Sequence, residues 1–433
     1  MILRLFDMCV RKRHDYVRGM KILTKKILPP ALGIVALALN LTVIPQAQAG
    51  SFLTNAPMIT PRAGHVAMLL RDGKVLVAGG RGNFKEGVDD PKRATGGSYD
   101  NATGKLILKT TELDSAELYD PATGSWTATG SMIQPCSWPK AVLLADGRVF
   151  VTGFFDIGRS LRHAPEIFDP ATGKWTETAA PIGAHSCVCV ASLTNGTVLV
   201  VQGYGTPLAG PPVEWYNPAA GTWTSTNAMT TEFESPTATP LRNGEVLVTG
   251  VNGQGYNAQQ PDPEIEKRPV PANAELFHPD TGRWTIITNS MTRHVNSPHT
   301  ATLLSNGKVL FMVQDGPGNA THRPQICDPA SGTWSATGAM GERRGGYTAT
   351  LLPDGKVLVV GGGNNGDYFS SAELYEPETG TWGKVSGHLA TARFEHTAIL
   401  LSNGKVLIAG GVNAGTFIAS TELYNPGETS PSR

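Results

Sequence analysis

Apolar and polar positions follow a unit that recurs along most of the chain. One half of the unit is an apolar run, a two-residue turn and a second apolar run, as in residues 396–401 and 405–411. Asp-Gly and Asn-Gly pairs accept positive φ at both turn positions, which matches the twist of paired strands. The pattern predicts a series of β-hairpins with turns at Asp72-Gly73, Asp146-Gly147, Asn195-Gly196, Asn243-Gly244, Asn306-Gly307, Asp354-Gly355 and Asn403-Gly404.

The other half of the unit, residues 116–126 in the first copy, predicts two more strands joined by a turn that contains Pro and Gly. A tryptophan follows this turn at intervals of 48 to 61 residues, at positions 126, 175, 223, 284, 334 and 382. Each unit therefore predicts four short strands, which we name A to D. Self-similarity at a fixed period indicates an all-β repeat fold.

Three features of the unit carry a family resemblance: a Gly-Gly pair after strand B, then a Tyr, then the Trp. The first copy has Gly79-Gly80, Tyr119 and Trp126, and the sixth has Gly361-Gly362, Tyr375 and Trp382. This pattern resembles the kelch repeat. The resemblance implies a seven-bladed β-propeller with four antiparallel strands per blade and strand A innermost around a channel.

The seventh unit predicts how the ring closes. It stops at residues 425–427 without a Trp strand, whereas residues 51–58 belong to no unit, and Phe52 aligns with Trp126. We expect 51–58 to be strand D of the last blade, because an open ring would leave unpaired sheet edges.

Residues 1–49 predict a leader and 50–433 the propeller domain. Lys and Arg are frequent up to residue 27, residues 27–44 are almost wholly apolar, and Ala47 and Ala49 suit signal peptidase. Met20 is an alternative start, and an uncleaved anchor is the alternative to cleavage. We expect an exported protein, periplasmic, cell-surface or secreted, with no membrane span after cleavage.

Composition restricts the partners. The chain has 36 basic and 36 acidic residues, and no basic stripe indicates nucleic-acid binding. We expect a monomer. Cys136 and Cys187 are a candidate disulfide, and Cys327 replaces the repeat Tyr as a buried free thiol.

Residues present in most units are interpreted as structural. Glu recurs at positions 117, 166, 214, 275, 373 and 422, and we expect it to hydrogen-bond within or between blades. His65, His299 and His396 share one repeat position and are interpreted in the same way. His185 and His294 do not follow this pattern and are left open. No pair of histidines or cysteines has the spacing of a zinc motif, and we expect neither a metal nor another cofactor.

Departures from the repeat indicate the candidate site. The B–C loops and D–A connections vary in length, above all at 81–114 and 251–271, and they share one face, which we call the variable face. Arg62, Arg344, Arg393 and His185 start strands A there and could hold a carboxylate or sugar acid. The alternative is that the arginines form salt bridges with neighbours such as Glu395, Asp156 or Asp367. The predicted ligand-binding residues are Arg62, His185, Phe233, Tyr256, Arg344, Asp367, Arg393 and Glu395.

Two classes of function follow. The first is a recognition module that binds a glycan or a protein on the variable face. The second is a carbohydrate-active enzyme, similar either to a sialic-acid mutarotase or to galactose oxidase. The galactose oxidase pattern needs a Cys and a Tyr on neighbouring strands A and a Tyr-His pair. Here strand A of blade 5 starts with residues 296–299 and has no Cys to accompany Tyr347, and the chain contains no Tyr-His pair. We therefore favour the recognition module.

Overall fold

The structure is a computed structural model. It describes residues 50–83, 94–95, 110–153, 164–182, 188–202, 213–227, 229–231, 233–252, 274–288, 300–312, 324–364 and 366–427. Seven antiparallel sheets of four strands form the blades. Their innermost strands contact one another in sequence, and the strand of the last blade contacts that of the first, which closes the ring. The predicted all-β, seven-bladed propeller is confirmed. The predicted leader, 1–49, lies outside the described residues.

Strands A and B of each blade are the predicted hairpins. From blade 1 to blade 7, strands A are β2 (Val66–Leu69), β9 (Lys140–Leu143), β13 (Cys189–Ser192), β17 (Phe233–Pro240), β21 (Thr300–Leu303), β25 (Thr348–Leu351) and β31 (Thr397–Leu400). Strands B are β3 (Val75–Ala78), β10 (Val149–Thr152), β14 (Val198–Val201), β18 (Val246–Asn252), β22 (Val309–Met312), β26 (Val357–Val360) and β32 (Val406–Ala409).

Strands C and D complete the blades on the outside of the ring. Strands C are β7 (Ala116–Asp120), β11 (Glu166–Asp169), β15 (Val213–Asn217), β19 (Ala274–His278), β23 (Gln325–Asp328), β29 (Ala372–Glu376) and β35 (Thr421–Asn425). Strands D are β8 (Ser125–Ala128), β12 (Lys174–Glu177), β16 (Thr222–Ser225), β20 (Arg283–Ile287), β24 (Thr333–Ala336), β30 (Thr381–Lys384) and, for blade 7, β1 (Ser51–Asn55).

The apolar core lies between neighbouring blades. Strand β3 (VLVA) is wholly buried, because both of its faces are covered by adjacent sheets. One cluster joins Val75 and Val77 of blade 1 to Leu407 and Ala409 of blade 7. A strand buried on both faces needs apolar side chains at consecutive positions rather than at alternating ones. This explains the apolar runs in the sequence.

Strand β1 closes the ring in blade 7. It pairs with β35, with Phe52 opposite Tyr424, and the two rings lie 5.1 Å apart between centroids. The strand ends at Asn55, three residues before the predicted end at 58. Met58 is instead buried in the cluster between blades 7 and 1. The first and last described strands therefore share one sheet, and blade 7 has four strands like the other six blades.

Five of the repeat tryptophans hydrogen-bond the connection that enters their blade. The Trp126 indole N–H donates to the Ala56 carbonyl at 3.0 Å, and Trp382 donates to Gly338 at 2.9 Å. The same bond is made by Trp175, Trp223 and Trp284. These indoles act in the framework, as their periodicity predicted.

Three short additional sheets lie in the B–C loops of blades 1, 6 and 7. They are β4 (Arg81–Asn83), β5 (Ala94–Thr95) and β6 (Thr110–Glu112); β27 (Gly363–Asn364) and β28 (Asp367–Tyr368); and β33 (Val412–Asn413) and β34 (Thr416–Phe417). The described residues contain no helix with the length and hydropathy to cross a membrane.

Candidate ligand-binding face

The three arginines predicted at the channel mouth lie inside the blades. Arg62 and Arg393 are 0% exposed and Arg344 is 4% exposed. In blade 7, one Arg393 nitrogen donates to the carbonyls of Gly410 and Ser420, and the other donates to Ser420 Oγ and to Glu422 Oε1 at 2.7 Å. We call this arrangement the arginine clasp.

The clasp recurs in blades 1 and 6. Arg62 bonds Glu117 at 2.8 Å, and Arg344 bonds Glu373 at 3.0 Å, with the equivalent carbonyl and Ser contacts in both blades. Burial lowers the pKa of Arg62 and Arg393, while their glutamate partners raise it. The structure does not place the three arginines at an open mouth: their Nη1 and Nη2 donors bond buried groups of the protein. This agrees with the alternative that they form salt bridges, although the partners are Glu117, Glu373 and Glu422.

The repeat glutamates anchor the D–A connections. Glu117 accepts the backbone N–H groups of Ile59 and Thr60, and Glu166 accepts those of Ile133 and Gln134. Glu275, Glu373 and Glu422 make the same pair of bonds in their own blades. Each carboxylate thus accepts hydrogen bonds from two consecutive backbone N–H groups of a connection, which have no β-sheet partner at that point. Their predicted structural role is confirmed.

Blades 2 and 4 carry an uncharged side chain where the clasp has its arginine. Cys136 occupies the position in blade 2 and Phe233, which is 0% exposed, occupies it in blade 4. Phe233 packs in the core beside Gly250, so its predicted place among ligand-binding residues is also wrong. Burial raises the pKa of Glu166, the carboxylate of blade 2. An arginine beside this carboxylate is therefore not obligatory for a blade.

The repeat histidines join strands A of neighbouring blades. His65 Nε2 lies 2.9 Å from Thr397 Oγ1, and His396 Nε2 lies 3.0 Å from Thr348 Oγ1. Burial, together with the charge of Arg393, lowers the pKa of His396 to about 3. Both histidines are therefore neutral, structural groups, as predicted; His299 lies outside the described residues.

Four neighbouring blades have a left-handed residue at the same repeat position near the channel. One repeat position, two residues after the clasp arginine, has positive φ in Gly64 (58°), Gly346 (59°), Trp138 (55°) and Glu395 (56°). Backbone bonds connect these residues: Trp138 N–H donates to Gly64, Gly64 N–H to Glu395, and Glu395 N–H to Gly346, at 3.0 to 3.1 Å. The bonds hold this conformation even where the residue is not glycine.

Trp138 and Glu395 meet at Arg81, and we call these three side chains the rim cluster. The Arg81 guanidinium lies 5.0 Å from the Trp138 ring centroid and 3.0 Å from Glu395 Oε2. Trp138 is 41% exposed. A Cβ on Gly64 would approach the indole to 3.2 Å, so the ring lies against the backbone of blade 1. The cluster offers an aromatic surface beside a neutralised ion pair.

The sequence did not single out Trp138 or Arg81, although a signal for Trp138 was present. The repeat alignment places Trp138 and Glu395 where blades 1 and 6 have glycine, and a bulky residue with positive φ is rare. Among the predicted ligand-binding residues, Glu395 belongs to the rim cluster and Asp367 is exposed in β28. His185 and Tyr256 lie outside the described residues, and their role stays a prediction.

The described cysteines are buried. Cys327 is 0% exposed and free, as predicted, and burial raises the pKa of its thiol to about 12. The candidate disulfide Cys136–Cys187 is untested, because Cys187 lies outside the described residues. Over the described part of the chain, no three His, Cys, Asp or Glu side chains are grouped to hold a metal ion. The absence of a cofactor stays a prediction.

Comparison with known proteins supports the fold. Residues 344–387, in blade 6, match the model of the Kelch motif. No curated protein sequence matches the chain. A solved structure described as a novel fungal alcohol oxidase of the AA5 family, in complex with copper, is similar with a TM-score of 0.60. The two chains are 17% identical, and the match covers 88% of this chain and 77% of the fungal chain. At this identity the likeness concerns the fold alone. The predicted resemblance to kelch propellers is confirmed.

Proposed function

We propose that this kelch-type propeller is a recognition module that binds a glycan on its variable face, at the rim cluster. The observation that carries the proposal is Trp138, a large aromatic side chain that is 41% exposed and held with positive φ. The framework does not explain this residue, because blades 1 and 6 have glycine at the same position.

Backbone strain supports the proposal. A non-glycine residue in a sparsely populated backbone region costs on the order of 1–3 kcal/mol, and such residues cluster at functional sites. Glycine at position 138 would avoid most of this cost. An exposed indole buries little apolar surface, so packing in the folded protein does not offset this strain. A ligand that covers the indole would explain why a tryptophan occupies the position.

The chemistry of the rim cluster indicates the class of ligand. An indole face offers an apolar platform for the C–H face of a sugar ring. Glu395 supplies a carboxylate, and Arg81, whose guanidinium lies over the indole ring, supplies N–H donors. Because these two groups neutralise each other at 3.0 Å, the cluster favours a neutral ligand over the carboxylate or sugar acid considered from the sequence.

A glycan array tests the proposal. We expect the wild-type chain to bind a subset of neutral glycans, Trp138→Ala to lose at least about tenfold in affinity, and Trp138→Phe to retain part of it. Leu53→Ala is the control, because Leu53 is 49% exposed on β1, away from the rim cluster. Binding to protein ligands alone, or glycan binding unaffected by Trp138→Ala, would contradict the proposal.

A further inference from the structure

Four of the seven A–B turns contain an Asn-Gly pair whose asparagine is exposed to solvent. They are Asn195-Gly196, Asn243-Gly244, Asn306-Gly307 and Asn403-Gly404, in blades 3, 4, 5 and 7. The backbone nitrogen that follows an asparagine can attack the side-chain Cγ, and glycine hinders this attack least because it has no Cβ. The side-chain amide of an asparagine is thermolabile for this reason. These turns therefore contain reactive groups that the framework role does not use.

The repeat shows that an aspartate fits the same turn. Blades 1, 2 and 6 have Asp72, Asp146 and Asp354 at the position of the asparagine. In each of them, Oδ1 accepts the N–H of the residue two positions later at 3.0 to 3.1 Å. The four asparagines accept the same bond at 3.0 to 3.1 Å. Exchange of the amide for a carboxylate therefore leaves the bonds of the turn intact.

The fold restrains the attacking nitrogen equally in the four pairs. In each turn the glycine N–H donates to a leucine carbonyl, at 2.9 to 3.1 Å. The attack therefore requires a transient local opening, which exposed turns undergo at a low free energy. Because this restraint is shared, differences in reactivity must come from the surroundings of each pair.

The charge next to the pair differs between blades. The residue that follows the glycine is Lys308 in blade 5, Lys405 in blade 7, Glu245 in blade 4 and the uncharged Thr197 in blade 3. In blade 6, Lys356 Nζ at this position lies 3.9 Å from Asp354 Oδ2, so a lysine here reaches the turn. The attacking nitrogen must lose its proton, and a nearby cation favours the resulting anion, whereas a carboxylate disfavours it.

Asn243 is also the more restricted side chain. Its Nδ2 donates to Glu245 Oε2 at 2.7 Å, which holds the amide away from the glycine nitrogen. A Cβ on Gly244 would approach Thr194 to 3.2 Å, whereas a Cβ on Gly307 would meet no described atom within 4 Å. The turn of blade 4 therefore has less room to rearrange than the turn of blade 5.

We propose that Asn306 and Asn403 are sites of spontaneous deamidation and that Asn243, in the same dipeptide, is resistant. The glycine nitrogen forms a bond to the asparagine Cγ, and the side-chain nitrogen leaves as ammonia. Water then opens the resulting succinimide at either carbonyl carbon, which gives aspartate or isoaspartate. Aspartate converts blades 5 and 7 to the turn of blades 1, 2 and 6, whereas isoaspartate adds a methylene group to the backbone and disrupts the hairpin. Each event adds one negative charge to a chain that has 36 basic and 36 acidic residues.

Peptide mapping by mass spectrometry of the folded full chain, incubated in mildly alkaline buffer of low salt, tests the proposal. We expect Asn306 and Asn403 to convert at least about tenfold faster than Asn243, because the neighbouring charges have opposite sign. In Glu245→Lys, Asn243 should convert about as fast as Asn403 does in the wild type. Lys405→Glu is the reciprocal variant and should slow Asn403 about tenfold. Asn403→Asp, which reproduces one product, should keep the wild-type Tm within about 1 °C.

Three results would overturn the proposal. They are a conversion of Asn243 as fast as that of Asn403, charge variants that convert at wild-type rates, and no conversion at Asn306 or Asn403 while a synthetic peptide of residues 302–309 converts fully. A circular-dichroism melt of each variant establishes that the blades remain folded. The A–B turns lie on the face opposite the rim cluster, so failure of this proposal and failure of glycan binding at Trp138 are distinguishable.

Discussion

Removing the arginine of one clasp should destabilise the propeller in a way that depends on pH. Arg393→Met keeps most of the side-chain volume but removes the bonds to Gly410, Ser420 and Glu422. Glu422 would remain 2% exposed, without its cation. Breaking a buried ion pair by removing one partner costs about 3–5 kcal/mol. For a domain of this size, a loss of about 4 kcal/mol lowers Tm by about 5 °C.

The size of the effect should fall as the pH is lowered. A buried carboxylate without a cation is stabilised by taking up a proton, as shown by the raised pKa of Glu166 in blade 2, where Cys136 occupies the arginine position. A carboxyl group with a higher pKa in the folded state than in the unfolded chain stabilises the folded protein at low pH. This stabilisation is lost as the pH rises through the folded-state pKa. The deficit of Arg393→Met relative to wild type should therefore be largest near pH 7 and smaller near pH 4.5.

Thermal unfolding of wild type and Arg393→Met at these two pH values measures the effect. Arg148→Met is the control, because its ion pair with Asp146 is 37% and 47% exposed, and such surface pairs contribute about 0–1 kcal/mol. A Tm for Arg393→Met within about 1 °C of wild type at pH 7, or an equal deficit at both pH values, would refute the account of the clasp.

Two further predictions concern closure and acid stability. Deletion of residues 50–58 removes β1 and Met58, so we expect aggregation or a Tm lowered by more than about 10 °C, measured by light scattering and calorimetry; a soluble protein with unchanged Tm would contradict the closing role. For His396, the folded-state pKa of about 3 lies below the ordinary value of 6.5, so the unfolded chain takes up the proton first. The free energy of unfolding should therefore fall as the pH drops from about 6.5 towards 3. In denaturant titrations at several pH values, His396→Gln should lose less of this free energy over the same range than the wild type. An equal dependence on pH in the two proteins would contradict this.

The sequence predicted the architecture well because its signals are local and repeated. The turn between Leu70 and Lys74 shows why: Gly73 has φ 87°, and the Asp72 carboxylate accepts the Lys74 N–H, so neighbouring residues specify the hairpin. The expectation of positive φ at both turn positions was wrong, because Asp72 does not have it and the loop contains three residues, 71–73. Closure was also predictable, since the last unit had no strand D and residues 51–58 had no unit. The error of three residues at its end arose because Met58 turns into the core between the blades.

The candidate site was predicted less well because side-chain direction depends on distant partners. Arg62 lies 55 residues from Glu117, and only the folded blade shows that the two meet in the interior. Repeat position alone placed the arginines near the channel but could not distinguish a clasp from an open cationic rim. The repeat alignment places Trp138 where blades 1 and 6 have glycine, but the positive φ of that position is a property of the folded backbone.

A crystal structure of the wild-type chain with its strongest ligand from the glycan array is the most direct test of the recognition site. The account predicts a sugar ring stacked on the indole of Trp138, with its hydroxyl groups bonded to Arg81 or Glu395. A ligand bound on the opposite face of the ring, among the short A–B turns, with Trp138 still uncovered, would contradict it.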